Sequence, residues 1–150
     1  MKKIICCAAI TSLLLGMGLS SVSGADRTQE QLTERLQHVN RSAKTGGRMQ
    51  TAFHAIATET GVPLEQIEAL YKRYPEEGPA GVLMACVMAD ETKKSPEEFV
   101  KKNMAGKSWT QLAKEYKVSI DKLNERLDHM DRILNSATDK PEKRGSIKYE

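Results

Sequence analysis

Ala80-Gly81-Val82-Leu83-Met84-Ala85-Cys86-Val87-Met88-Ala89 contains no charged residue. A helix that is apolar all round has to be enclosed by protein, so this stretch reads as the central helix of a bundle. Before it, Pro75-Glu76-Glu77-Gly78-Pro79 reads as a loop, and after it residues 90–94 carry the chain out to solvent.

The segments around this centre are amphipathic. Apolar residues recur at spacings of three and four, and no stretch beyond residue 25 alternates with the period of a strand. Residues 27–41 form a short helix with Leu32, Leu36 and Val39 on one stripe. Residues 42–48, holding Gly46-Gly47, read as a flexible joint that leaves this first helix free to dock elsewhere. Residues 49–59 form the next helix, stopped by Gly61, and Pro63 opens another through Leu70 to Tyr74. Ser95-Pro96-Glu97-Glu98 reads as a capping box, with Ser95 as cap, Pro96 at the first helical position and Glu98 reaching back. Ser108 and Gln111 repeat that logic after the stop at Gly106, and Ser119 caps a helix to about Leu134. Residues 138–150, rich in Lys, Asp, Gly and Pro, read as a disordered tail. The expected fold is all-α, a compact bundle of five or six short helices. Its parts are residues 26–48 (amphipathic helix and joint), 49–136 (helical domain) and 137–150 (tail).

The first 25 residues read as a cleavable signal peptide. Lys2 and Lys3 start it, Ile4 to Leu19 carry no charge, and Ser23-Gly24-Ala25 offers small residues before a cut at Asp26, with the Gly24/Ala25 bond as the alternative. The competing reading is a retained anchor, but a spanning helix needs roughly 20 apolar residues and this run has 16, with two glycines inside. Cys6 and Cys7 lie near its beginning, whereas a lipoprotein needs a cysteine at its end. After cleavage no stable membrane span remains, and the formal charge falls from +3 to +1. The chain's basicity therefore says nothing about nucleic acid. Cys86 is left as the lone cysteine, so no internal disulfide can form.

Three segments align on one another. Ile56-Ala57-Thr58-Glu59 with Glu65 and Ile67 matches Leu112-Ala113-Lys114-Glu115 with Asp121 and Leu123, and Met88-Ala89-Asp90-Glu91 with Glu97 and Phe99 matches both. Each copy reads as a helix, a tight turn and a second helix that packs back on the first. The stretch from Leu112 to Leu123 resembles the core of a helix-turn-helix, whose DNA contacts come from the start of the second helix. Here those starts carry Glu65 and Glu68, Glu97 and Glu98, Asp121 and Glu125, which phosphates would repel. The same stretch resembles half of a LysM module, which binds peptidoglycan, although the strands flanking such a module are missing. Residues 80–127, with Ser95-Pro96-Glu97-Glu98 and Gly106-Lys107-Ser108-Trp109 followed by Leu112-Ala113, resemble small exported bacterial proteins of unassigned function. That resemblance implies an envelope location and a helical fold.

Chemistry is sparse. His38, His54 and His129 lie on separate helices without metal spacing. Met84, Cys86 and Met88 are soft donors for Cu(I), but Cys86 points about 200° away from the two methionines on a 3.6-residue helix. No nucleophile with a base, no apolar carboxylate pair and no phosphate loop is present, so the sequence points to no enzyme and no cofactor. The expected function is an exported binding module whose partner is an envelope protein or cell-wall component. Trp109, Tyr116 and Lys107 are its candidate binding residues. A helix-turn-helix DNA-binding protein with a misread leader and a periplasmic copper carrier are the alternatives.

Overall fold

The computed structural model describes residues 24–136, which form seven α-helices and no strand. The leader up to Ser23 and the tail from Ala137 lie outside the described residues. The helices are α1 (Gly24–Lys44), α2 (Met49–Thr60), α3 (Leu64–Arg73), α4 (Gly78–Thr92), α5 (Pro96–Met104), α6 (Trp109–Tyr116) and α7 (Ile120–Ser136). The number is seven rather than five or six. Gly106 (φ +98°) breaks α6 from α5, and Lys117 (φ +57°) breaks it from α7.

Helix α4 is the axis of the bundle. Every residue from Gly78 to Ala89 is buried, and α1, α2, α3, α5 and α7 all pack on it. The helix starts two residues earlier than the charge-free run, inside the stretch expected to be loop. The physical reason is a cap supplied from another helix. Asn40 of α1 accepts a hydrogen bond from the Ala80 amide (2.8 Å) and donates one to the Glu77 carbonyl (3.2 Å). No side chain within α4 does this, so Asn40 takes the place of a local N-cap residue. Gly78 sits against it at φ +67°, ψ 174°, a backbone region essentially reserved for glycine. A Cβ there would lie 2.4 Å from Asn40 Oδ1.

Helix α1 packs against α4 and α7 rather than standing apart, with Leu32, Val39 and Ala43 in the core. The joint after it is a single 3-10 turn, Thr45–Gly47, with both glycines at positive φ. Arg48 closes this corner by donating to the Leu134 carbonyl (3.3 Å). Helix α7 buries Leu123, Leu127, Met130 and Leu134, a stripe too long for the eight-residue α6 to cover. It packs instead chiefly on α1 and α2. All core residues among those described fall between Leu32 and Leu134.

Three turns share one geometry. Gly61, Lys93 and Lys117 each adopt the left-handed conformation, and their amides bond to the carbonyls of Ala57, Ala89 and Ala113, four residues back. In the second and third turns the next amide also reaches the same alanine, Lys94 at 3.2 Å and Val118 at 2.9 Å. This is the Schellman arrangement for absorbing orphan carbonyls. In the first turn the Val62 amide finds the Thr60 hydroxyl instead (3.4 Å).

Only one of the two expected capping boxes forms. Ser108 and Gln111 bond reciprocally, at 3.2 and 2.9 Å. Ser95 makes no side-chain cap, because Glu98 is drawn outward to Lys94, Lys102 and Tyr116.

Candidate functional site

Polar side chains from different helices converge on two surfaces. The first is a groove of about 470 Å³ between α1 and α7. The two helices run in the same direction there, since Arg35 meets Asn124 and Asp128 while His38, one turn further, meets Asp131. Arg35 donates to Asn124 Oδ1 at 3.1 Å and pairs with Asp128. His38 Nε2 lies 3.3 Å from Asp131 Oδ1, an ion pair when the imidazole is protonated. It is near enough for charge attraction but not aligned for a hydrogen bond. Asp131 Oδ1 is shut off from water and accepts no hydrogen bond, whereas Oδ2 accepts one from Asn135 at 3.1 Å. A sequestered carboxylate oxygen without a donor is costly, and His38, 3.3 Å away, is the cation that offsets part of that cost when protonated. Val39 and Leu127 line the groove's apolar side, and Glu34 and Arg41 its charged rim. The site therefore offers both signs of charge over an apolar strip, suited to holding a polar partner and lacking a nucleophile.

The second surface is an ion-pair lattice spread over α3, α5 and α6. Glu97 Oε1 accepts from the Tyr74 hydroxyl (2.8 Å) and from Arg73 (3.0 Å), and Lys101 lies 3.0 Å away. Tyr74, then Lys101 and Arg73, hold its carboxyl down to about 2. Glu98 is held below the ordinary carboxylate range by Lys94, Tyr116 and Lys102. These contacts fasten α5 to its neighbours, and Arg73 and Glu97 also line a cavity of about 210 Å³ between α3 and α5 whose wall includes Cys86.

The candidate residues from the sequence fall in different places. Trp109 is only 6% exposed and belongs to the core. With Leu112, Ala113 and Tyr116 it forms the inward stripe of α6, at the i, i+3, i+4, i+7 positions of a packed face. Tyr116 sets its ring edge-on to Phe99, centroids 5.0 Å apart, beneath the ammonium groups of Lys102 and Lys94. Its hydroxyl donates to Glu98 (3.0 Å) and accepts from Lys102. Lys107 pairs with Glu115 at 2.5 Å. Tyr116 and Lys107 thus share the lattice, while Trp109 shows only an edge, in a separate groove with Gln29, Ser108 and Thr110.

Met84, Cys86 and Met88 are all fully buried in α4. Burial pushes the Cys86 thiol up to about 12, so the thiolate that binds metal is out of reach at neutral pH. Among the described residues no three His, Cys, Asp or Glu side chains converge to hold a metal ion. Nor is any described helix long and apolar enough to cross a membrane. His54 is exposed on α2, and His129 joins Arg126 on Glu59, tying α2 to α7.

The groove residues carry a signal in the sequence that goes unread without the packing. Arg35 and His38 are three apart on α1, and Asp128 and Asp131 three apart on α7, two matched pairs of opposite sign. Nothing in the chain says that these helices run side by side in the same direction. No protein-family model matches the chain, and no curated protein or solved structure matches it either.

Proposed function

We propose that the chain is an exported interaction module of the cell envelope, without enzymatic activity or cofactor. Three related helical hairpins build it, and it holds an envelope protein or cell-wall component in the α1–α7 groove. The observation that carries this reading is the α1–α7 groove itself, where Arg35, His38, Asp128 and Asp131 set both signs of charge beside Val39 and Leu127. The leader-like residues 1–25 support export, and the shared turns after Ala57, Ala89 and Ala113 support the hairpin relationship.

DNA binding is less well supported. The second helices open on Glu65, on Glu97 and Glu98, and on Asp121, and affinity for duplex depends on neutralising phosphate. A copper carrier would have to open the core to reach Met84, Cys86 and Met88.

Intact mass of the protein recovered from periplasmic, membrane and cytoplasmic fractions tests the location. A periplasmic species starting near Asp26 agrees with the proposal, and a full-length cytoplasmic species overturns it. A photo-crosslinking residue at Gln37, inside the groove, should trap a discrete adduct that the same probe at Lys72 does not. Absence of an adduct at Gln37 removes the groove from the reading.

A further inference from the structure

The α5–α6 face is cationic and carries the one large apolar side chain that the described residues leave in solvent. Met104, at the end of α5, is 51% exposed. A single exposed methionine needs no explanation in itself, but its surroundings give this one a context. Residues 93–122 hold eight lysines against four acids, and two of those lysines, Lys93 and Lys122, pair with Asp90 and Glu91 just before this stretch. Three of those acids, Glu97, Glu98 and Glu115, are already engaged by Lys94, Lys101, Lys102 and Lys107. Lys114 and Lys117 are exposed and pair with no carboxylate among the described residues. Lys101 lies one turn before Met104 on the same face of α5, and Lys107 follows three residues later.

We propose that this face docks onto an anionic lipid surface. Met104 enters the boundary between headgroups and acyl chains, and Lys101, Lys107, Lys114 and Lys117 meet lipid phosphates. Two properties of the face favour lipid over nucleic acid. A thioether gains nothing against a phosphate backbone, whereas it gains by entering an apolar layer. Lipids also move laterally and gather at the lysines while leaving Glu97, Glu98 and Glu115 unopposed, which a phosphate chain of fixed spacing cannot do. The proposal concerns a different face from the α1–α7 groove and does not depend on the reading of that groove.

The test is co-sedimentation of the chain from Asp26, which keeps every described core residue, with vesicles. Phosphatidylcholine alone is compared with phosphatidylcholine plus phosphatidylglycerol. Partition should appear only with the anionic lipid and should fall steeply as salt is raised. Each lysine at such a surface contributes about fivefold, so the double variant Lys114→Gln, Lys117→Asn should weaken partition roughly 25-fold. Asparagine is chosen at 117 because it tolerates the left-handed backbone there. Met104→Ser should weaken partition about threefold or more, with helicity unchanged in both variants. No partition into the anionic vesicles overturns the proposal, as does partition that the lysine variant leaves intact. If Met104→Ser binds like the parent, the face is a general polyanion surface and the lipid assignment fails.

Discussion

Replacing Asn40 with Ala tests whether a side chain on α1 starts the central helix. The Ala80 amide is buried and has Asn40 Oδ1 as its partner, at 2.8 Å. Leaving a buried donor unsatisfied costs about 1–3 kcal/mol, in line with about 1 kcal/mol for losing an N-cap. Against this, alanine is the better helix former within α1 by about 0.6 kcal/mol. Loss of the hydrogen bond from Asn40 to the Glu77 carbonyl adds to the cost only in part, because water can replace it at that half-buried site. The net expectation is a loss of about 2 kcal/mol. With a urea slope of roughly 2 kcal/mol per molar for a domain of this size, the unfolding midpoint by circular dichroism should fall by about 1 M. Asn40→Asp keeps the acceptor and adds a charge that the α4 N-terminus favours, so it should cost less than half as much. An alanine variant that unfolds at the parent midpoint would refute the cap. Equal losses for Ala and Asp would show that the Ala80 bond is not what matters.

Trp109→Ala should cost about 3 kcal/mol in urea unfolding, the range for emptying a buried aromatic site; a stable variant with altered binding would instead restore it as a surface contact. In the chain from Asp26, Cys86 should stay unreactive toward a chromogenic disulfide reagent at pH 8 until urea unfolds the protein, since burial holds its thiol at about 12. Glu97 has a folded value near 2, below the ordinary 4.5, so its stabilising contribution is present above the unfolded value and lost as pH falls through the folded one. The gap in urea midpoint between the parent and Glu97→Gln should therefore be widest above pH 5 and shrink toward pH 2. Lys117→Gly should raise stability by about 0.5–1 kcal/mol, because glycine relieves the left-handed strain at φ +57°; an unchanged or lower midpoint would show that the lysine gains more elsewhere than it loses in strain.

The fold class was legible because the helical signals are local. The charge-free run marked α4 as the enclosed helix, and Gly61, Gly106 and the Ser108–Gln111 box marked real ends. What failed depended on contacts between distant segments. Nothing near residue 78 announces that Asn40 will cap α4 from across the bundle, so Pro75–Pro79 read as loop throughout. Ser95 to Glu98 has the letters of a capping box, yet Glu98 is worth more to two cations and a tyrosine than to one backbone amide. The surroundings of the candidate site residues were hidden for a related reason. Trp109 and Tyr116 drew notice as aromatics, but their seven-residue separation places both on the inward stripe of α6, Trp109 buried and Tyr116 half-buried. The groove was invisible because its two walls are set by residues about ninety positions apart.

The aligned segments show how local pattern and distant contact divide the work. Their apolar positions, Ile56 with Ile67, Met88 with Phe99 and Leu112 with Leu123, are all fully buried, and their alanines all receive the amide that closes the turn. The glutamates at matching positions behave differently. Glu59 takes Arg126 and His129 of α7, Glu91 takes Lys122 of α7, and Glu115 takes Lys107 just before α6. Two of these acids anchor the same long helix from two different aligned segments, and the third does not, because α7 turns away from α6 to cover α1 and α2. The pattern thus specifies each turn from within, while the first of its two charged positions decides how the aligned segments are joined. Because α7 is the helix so joined, and also one wall of the groove, replacing Glu59 or Glu91 should loosen the groove without touching a residue that lines it.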